Sequence, residues 1–120
     1  MPGKLLVVDN ERDVCDFLKT FFGERDFQVF AAATGDEALL IARREKPDVV
    51  LLEIKMPGMD GIAILKHLKE IDKGTKVIMV TVLDSQDSMY EAYKLGACDY
   101  ITKPLVLENL EQSVQRHLGL

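Results

Sequence analysis

The chain has 120 residues, 48% of them hydrophobic and 29% charged, with 15 Lys and Arg against 20 Asp and Glu for a net charge of −5. At this length folding buries about two-thirds of the unfolded chain's surface, enough for one core and too little for two, so 1–120 reads as a single domain. The composition excludes a disordered chain, and the acidic balance excludes a basic face gripping nucleic acid.

Short β-branched runs alternate with segments of helical period. The first strand, Lys4–Val8, is followed by Val14, Phe17, Leu18, Phe21 and Phe22, one apolar helical stripe. After the second strand, Gln28–Ala32, Thr34 and Glu37 stand at capping-box spacing and open a helix carrying Ala38, Ile41 and Ala42. The third strand is Val49–Ile54. Beyond the turn Pro57-Gly58, Leu65 and Leu68 with Ile62 or Ile64 give a third helix. The fourth strand, Lys76–Thr81, leads to a weaker stripe of Met89, Ala92 and Tyr93 that stops at Gly96. The fifth, Asp99–Thr102, precedes Leu107, Leu110, Val114 and Leu118. These stripes are core surfaces rather than cofactor boxes. Alternation of this kind predicts an α/β fold, a (βα)5 flavodoxin-like three-layer sandwich with a parallel sheet of order 2-1-3-4-5.

Cys15 and Cys98 lie far apart in apolar surroundings and read as two buried thiols in a reducing, cytoplasmic setting. The apolar run Leu5-Leu6-Val7-Val8 stops at Asp9, too short for a signal peptide, and no apolar stretch is long enough to span a membrane.

Ligands of such sheets bind beyond the carboxyl ends of the strands. Asp9, Asn10 and Glu11 follow the first strand, and Glu53 with Lys55-Met56-Pro57 ends the third. Thr81 ends the fourth, and Lys103-Pro104 follows the fifth. Carboxylate and amide oxygens suit a hard divalent cation. A hydroxyl beside an ammonium suits a phosphoryl group. Each residue also has a structural reading. Asn10 fits the N-cap of the first helix, and Asp9 a turn. Glu53 fits an ion pair with Lys55 or Lys103, Thr81 a plain strand residue, and Lys103 a loop cation. Their shared position at one edge of the sheet carries the functional reading.

With those residues in place, the chain resembles the receiver domains of bacterial two-component response regulators from Lys4 to Leu118. The resemblance rests on Leu6-Val7-Val8-Asp9-Asn10-Glu11, on Pro47 through Gly61 with its Met56-Pro57-Gly58-Met59-Asp60-Gly61, on Val77 through Thr81, and on Gly96 through Pro104. It implies that Asp9 and Asn10 hold Mg²⁺, with the backbone carbonyl of Lys55 and the side chain at position 53 as further ligands. It implies that Glu53 stands at the phosphoacceptor position, normally Asp, and that Thr81 and Lys103 bind the phosphoryl group. Thr81 and Tyr100 would form the switch, and the Lys103–Pro104 peptide would be cis. The partners implied are a sensor histidine kinase and an output domain or target. The latter would be met through the face of the fourth helix, fifth strand and fifth helix; a homodimer is also open. No nucleic acid or membrane partner is implied.

Three departures bear on function. Glu53 pushes its carboxylate out by about 1.5 Å, and a misplacement of ~1 Å can cost about 10²-fold in attack. It should be a poor phosphoacceptor whose carboxylate reaches toward Lys103 or Thr81, an incomplete imitation of phosphorylation. Asn10 removes a charge from the metal pocket and weakens Mg²⁺, to the point that metal binding itself is in question. Val82, where the family often has a small residue, narrows access to position 53. Glu53 is either an engineered mimic or a natural variant; Asn10 and Val82 lean toward the natural one. The alternatives are a phosphorylation-independent pseudo-receiver that acts as an interaction module, and a phosphatase- or phosphotransferase-type enzyme. Against the enzyme, Lys55 stands where a second carboxylate would be needed, and no long lid segment is present. A flavin module would need a phosphate cradle in place of the acidic Asp9-Asn10-Glu11. A receiver of this kind is a signalling domain. At most it catalyses its own phosphorylation and dephosphorylation, and then only with Asp at position 53. Met1 reads as a native start, either of a stand-alone regulator or of a longer protein.

Overall fold

The computed structural model describes residues 2–120. Five strands, β1 (Lys4–Val8), β2 (Gln28–Ala32), β3 (Val49–Leu52), β4 (Lys76–Thr81) and β5 (Asp99–Thr102), alternate with five helices. The helices are α1 (Arg12–Gly23), α2 (Gly35–Glu45), α3 (Gly61–Ile71), α4 (Gln86–Lys94) and α5 (Leu107–Leu118). The strands form one parallel sheet in the order β2-β1-β3-β4-β5, as the alternation predicts.

Successive side chains of a strand point to opposite faces, and this builds two cores. Leu5, Val7, Val49, Leu51, Ile78 and Val80 pack with α1 and α5 residues including Leu18, Phe22, Leu110 and Val114. Leu6, Val8, Val50, Leu52, Val77 and Met79 pack on the other face with Ala38 and Ala42 of α2, Ile64, Leu65 and Leu68 of α3, and Ala92 of α4. Strands buried on both faces carry near-continuous apolar runs, which is why β1, β3 and β4 were visible as such.

Helix starts follow local chemistry. The Thr34 hydroxyl accepts from the Glu37 amide at 3.2 Å, while the Glu37 carboxylate accepts from the Ala33 amide at 2.8 Å. Asp60 caps α3 by accepting from the Ala63 amide at 3.0 Å, and Ser85 caps α4 through Ser88.

Several expectations are corrected. Asn10 does not cap α1: Glu11 holds the N-cap position without a side-chain cap, and the Asp9 carboxylate instead accepts from the Glu11 amide at 2.9 Å. The third strand ends at Leu52 rather than Ile54: the Glu53 amide still bonds the Val8 carbonyl, but the amides of Ile54 and Lys55 turn to the Glu53 carboxylate instead of a neighbouring strand. Phe17 belongs to the α1 stripe by spacing but is 52% exposed; it stacks on Phe21 outside the core. Tyr93 is likewise exposed, and Cys98 is only half-buried, while Cys15 is buried.

Candidate functional site

Parallel ladders deliver their last residues to one rim, and three backbone bonds extend them past the strand ends. The Asp9 amide donates to the Ala32 carbonyl at 3.1 Å, Glu53 to Val8 at 3.0 Å, and Lys103 to Thr81 at 2.8 Å. Residues from four remote stretches thereby face one another.

The cluster is ionic and nearly dry. The Lys103 ammonium lies 2.7 Å from Asp9 Oδ2 and 3.0 Å from Glu53 Oε1. The side chains of Asp9 and Glu53 are each 4% exposed and that of Lys103 is 12% exposed. Glu11 Oε1 stands 3.7 Å from the same ammonium on the solvent side. The second oxygen of Glu53 folds back onto its own backbone, accepting from the Ile54 amide at 2.8 Å and the Lys55 amide at 3.2 Å. Glu53 is thus held by two N–H groups and an ammonium, donor types that receive a phosphoryl group.

Position 53 is fixed from behind. The Gly61 amide donates to the Ile54 carbonyl at 2.7 Å. A Cβ on Gly61 would stand 2.2 Å from the Glu53 carbonyl oxygen and 2.5 Å from Ile54 Cα. Only glycine lets the start of α3 press this closely on the backbone.

The electrostatics agree with the contacts. Burial pushes the Glu53 carboxyl up, but the Thr81 hydroxyl, Lys103 and the Lys55 amide outweigh it and hold the group below its ordinary value. Burial pushes Lys103 down, yet its bonds to Asp9 and Glu53 win and hold the ammonium above its ordinary value.

A second chain of bonds leaves the cluster. The Thr81 hydroxyl accepts from the Leu83 amide at 3.2 Å, and the Leu83 carbonyl accepts from the Tyr100 hydroxyl at 2.7 Å. Tyr100 is buried among the sheet and α4 residues. The Lys103–Pro104 peptide is cis. Val82 is 52% exposed beside Thr81.

The structure therefore brings together Asp9, Glu53, Thr81 and Lys103. Asn10 is exposed at the edge, and Lys55 joins through its amide. Of the two ammonium partners open to Glu53 from the sequence, Lys103 takes it. The amides of Ile54 and Lys55 and the backbone of Leu83 carry no signal in the sequence, because main-chain groups are the same at every residue type.

The profile of the response regulator receiver domain matches residues 5–115. The chain belongs to that family. Sporulation initiation phosphotransferase F of Bacillus subtilis is 39% identical over 120 residues, covering 100% of this chain and 97% of that protein. Regulatory protein AtoC of Escherichia coli is 39% identical over 118 residues, covering 98% of this chain but 26% of AtoC. Among solved structures, a CheY-like receiver domain protein from Methanospirillum hungatei has a TM-score of 0.93 at 29% identity, covering 97% of this chain and 93% of that one. The BeF3-activated receiver domain of Klebsiella pneumoniae RstA has a TM-score of 0.89 at 31% identity, covering 98% and 99%.

Receiver domains generally bind Mg²⁺ at this rim. The side chains here fit such an ion poorly. Both Asp9 oxygens and both Glu53 oxygens already hold protein donors. Among the described residues, no three acidic, His or Cys side chains converge on one metal-sized point.

Proposed function

We propose that residues 1–120 form one receiver domain of a two-component phosphorelay, with Glu53 at the phosphoacceptor position and poorly phosphorylatable. Asp9, Asn10 and the Lys55 carbonyl correspond to the Mg²⁺ ligands, with affinity lowered by the amide at position 10. Thr81 and Lys103 correspond to the phosphoryl-binding pair, and Thr81 with Tyr100 to the switch.

One observation carries the reading: the Glu53 carboxylate accepts from the Lys55 amide and pairs with Lys103 at 3.0 Å, occupying donors that a phosphoryl group would use. The extra methylene moves the nucleophilic oxygens off an in-line path. It also lets the carboxylate settle among those donors, so that the protein's own side chain stands in for the anion. The imitation is partial, because one negative charge replaces the two of a phosphoryl group. The same observation favours a second reading, a pseudo-receiver that presents its interaction face without phosphate.

In either form the domain signals rather than catalyses. A sensor histidine kinase is the upstream partner. An output domain, a separate target or a second copy is the proposed occupant of the α4–β5–α5 face. Among the described residues no helix is long and apolar enough to cross a membrane, and a cytoplasmic site of action follows from the proposed partners.

The test is phosphorylation by acetyl phosphate with Mg²⁺, read by intact-mass spectrometry. The chain should show no species heavier by about 80 Da, the mass of one added phosphoryl group, and Glu53→Asp should restore it. Strong labelling of the unaltered chain overturns the reading.

A further inference from the structure

We infer that Lys103 is the resident cation of the rim pocket, held there by the reach of Glu53, and that it takes the place of a divalent metal there. The inference rests on the proposed function and deepens it by naming which cation the site takes.

Each oxygen of the cluster already has a partner. Asp9 Oδ1 accepts from the Glu11 amide at 2.9 Å and Oδ2 from Lys103 at 2.7 Å. Glu53 Oε2 accepts from two amides of its own turn, and Oε1 faces Lys103 at 3.0 Å. Two buried carboxylates and one ammonium leave a single net negative charge in the dry part of the pocket. Magnesium needs a near-octahedral shell at about 2.0–2.1 Å and gives up its waters reluctantly. It would have to compete for both carboxylates with an ammonium hydrogen-bonded to Asp9 and paired with Glu53, and charge-assisted contacts are stronger than neutral ones. The neutral, exposed Asn10 adds no charge to draw it in.

Glu53 decides the outcome. With a side chain one methylene shorter, the second anchor of the ammonium recedes by about 1.5 Å. Lys103 is then held by Asp9 alone, and the oxygens of positions 9 and 53 become available to another cation. Removing the ammonium altogether leaves Asp9, Glu53 and, 3.7 Å from the vacated charge, Glu11: three carboxylates with no counter-charge.

The experiment is Mn²⁺ binding, read by loss of the free-ion signal in electron paramagnetic resonance. It is paired with the thermal midpoint in MgCl₂ against NaCl of equal ionic strength. The unaltered chain should leave the Mn²⁺ signal and the midpoint unchanged up to about 10 mM, beyond the range of weak oxygen-ligand sites. Lys103→Met should bind one Mn²⁺, at least ~10-fold more tightly than the unaltered chain, because ligand charge sets affinity, and Mg²⁺ should raise its midpoint. If Lys103→Met does not fold, Glu53→Asp carries the same test and should gain the ion.

Stoichiometric Mn²⁺ on the unaltered chain overturns the inference, and so does failure of every folded variant to gain it. Metal binding without phosphorylation would sink the resident-cation claim and leave the proposed function standing. Phosphorylation of the unaltered chain would sink the proposed function itself.

Discussion

Carboxylates of this domain hold a cation at each end of the sheet. At the carboxyl rim, Glu53 and Asp9 enclose Lys103, with all three side chains at most 12% exposed. At the amino end, Asp99 opens β5 and accepts from the Ser113 hydroxyl, from the Tyr100 amide at 2.8 Å and from Arg116 at 3.2 Å. Arg116, however, is 66% exposed. Glu53 and Asp99 each sit below their ordinary values, pushed up by burial and pulled down further by their partners. The contrast lies in solvent. At the rim Asp9, Glu53 and Lys103 are largely shielded from solvent, so each depends on the others. On the α5 face water takes over when a partner leaves. An ion pair locks a structure only where desolvation has made its loss costly.

The largest effect that sharpens this contrast is Lys103→Met in metal-free buffer. It strands two buried carboxylates and should cost about 3–5 kcal/mol in chemical denaturation. A cost below ~1 kcal/mol would place the rim cluster with ordinary surface pairs.

Acid should produce the next largest effect. The folded Glu53 carboxyl lies below its unfolded value, so its stabilisation is complete above that unfolded value and disappears as pH falls through the folded one. Thermal midpoints of the chain should drop steeply below about pH 4.3, the ordinary glutamate value, and Glu53→Gln should flatten that slope. Asp99 acts in the same sense just below, so part of the slope persists. Lys103 has the opposite sign. Its contribution is whole below the ordinary lysine value and fades as pH rises through its elevated folded one.

The smallest effect belongs to the exposed clip. Arg116→Ala should change stability by about 0–1 kcal/mol and lose even that in high salt. A cost as large as that at Lys103 would break the comparison.

Much of this was legible from sequence because period and burial are local. The bounds of β1, β2, β4 and β5 match the apolar runs, and the Thr34–Glu37 cap forms as its spacing suggests. Asp9, Glu53, Thr81 and Lys103 were legible as neighbours once the strand order was fixed. What escaped depends on backbone direction and on neighbours far away. Asn10 looks like a cap, but the turn after β1 hands the Glu11 amide to Asp9. Glu53 looks like a strand residue, but its carboxylate captures the next two amides as the ladder ends. Phe17 sits on the apolar stripe, yet no element of the fold covers its ring.

The parallel register has a practical corollary. Every group of the rim cluster emerges from the same end of the strands, so the α1–β2 connection at Glu24, Arg25 and Asp26 lies at the far end, exposed and with Asp26 already in a left-handed conformation. Arg25 ties this bend to the Phe21 ring of α1 and, across the fold, to Glu111 of α5, so Arg25 itself is best left in place. A reporter peptide or fluorophore spliced into that bend would travel with the domain while staying clear of its ionic centre, making it the natural handle for watching this protein meet its partners.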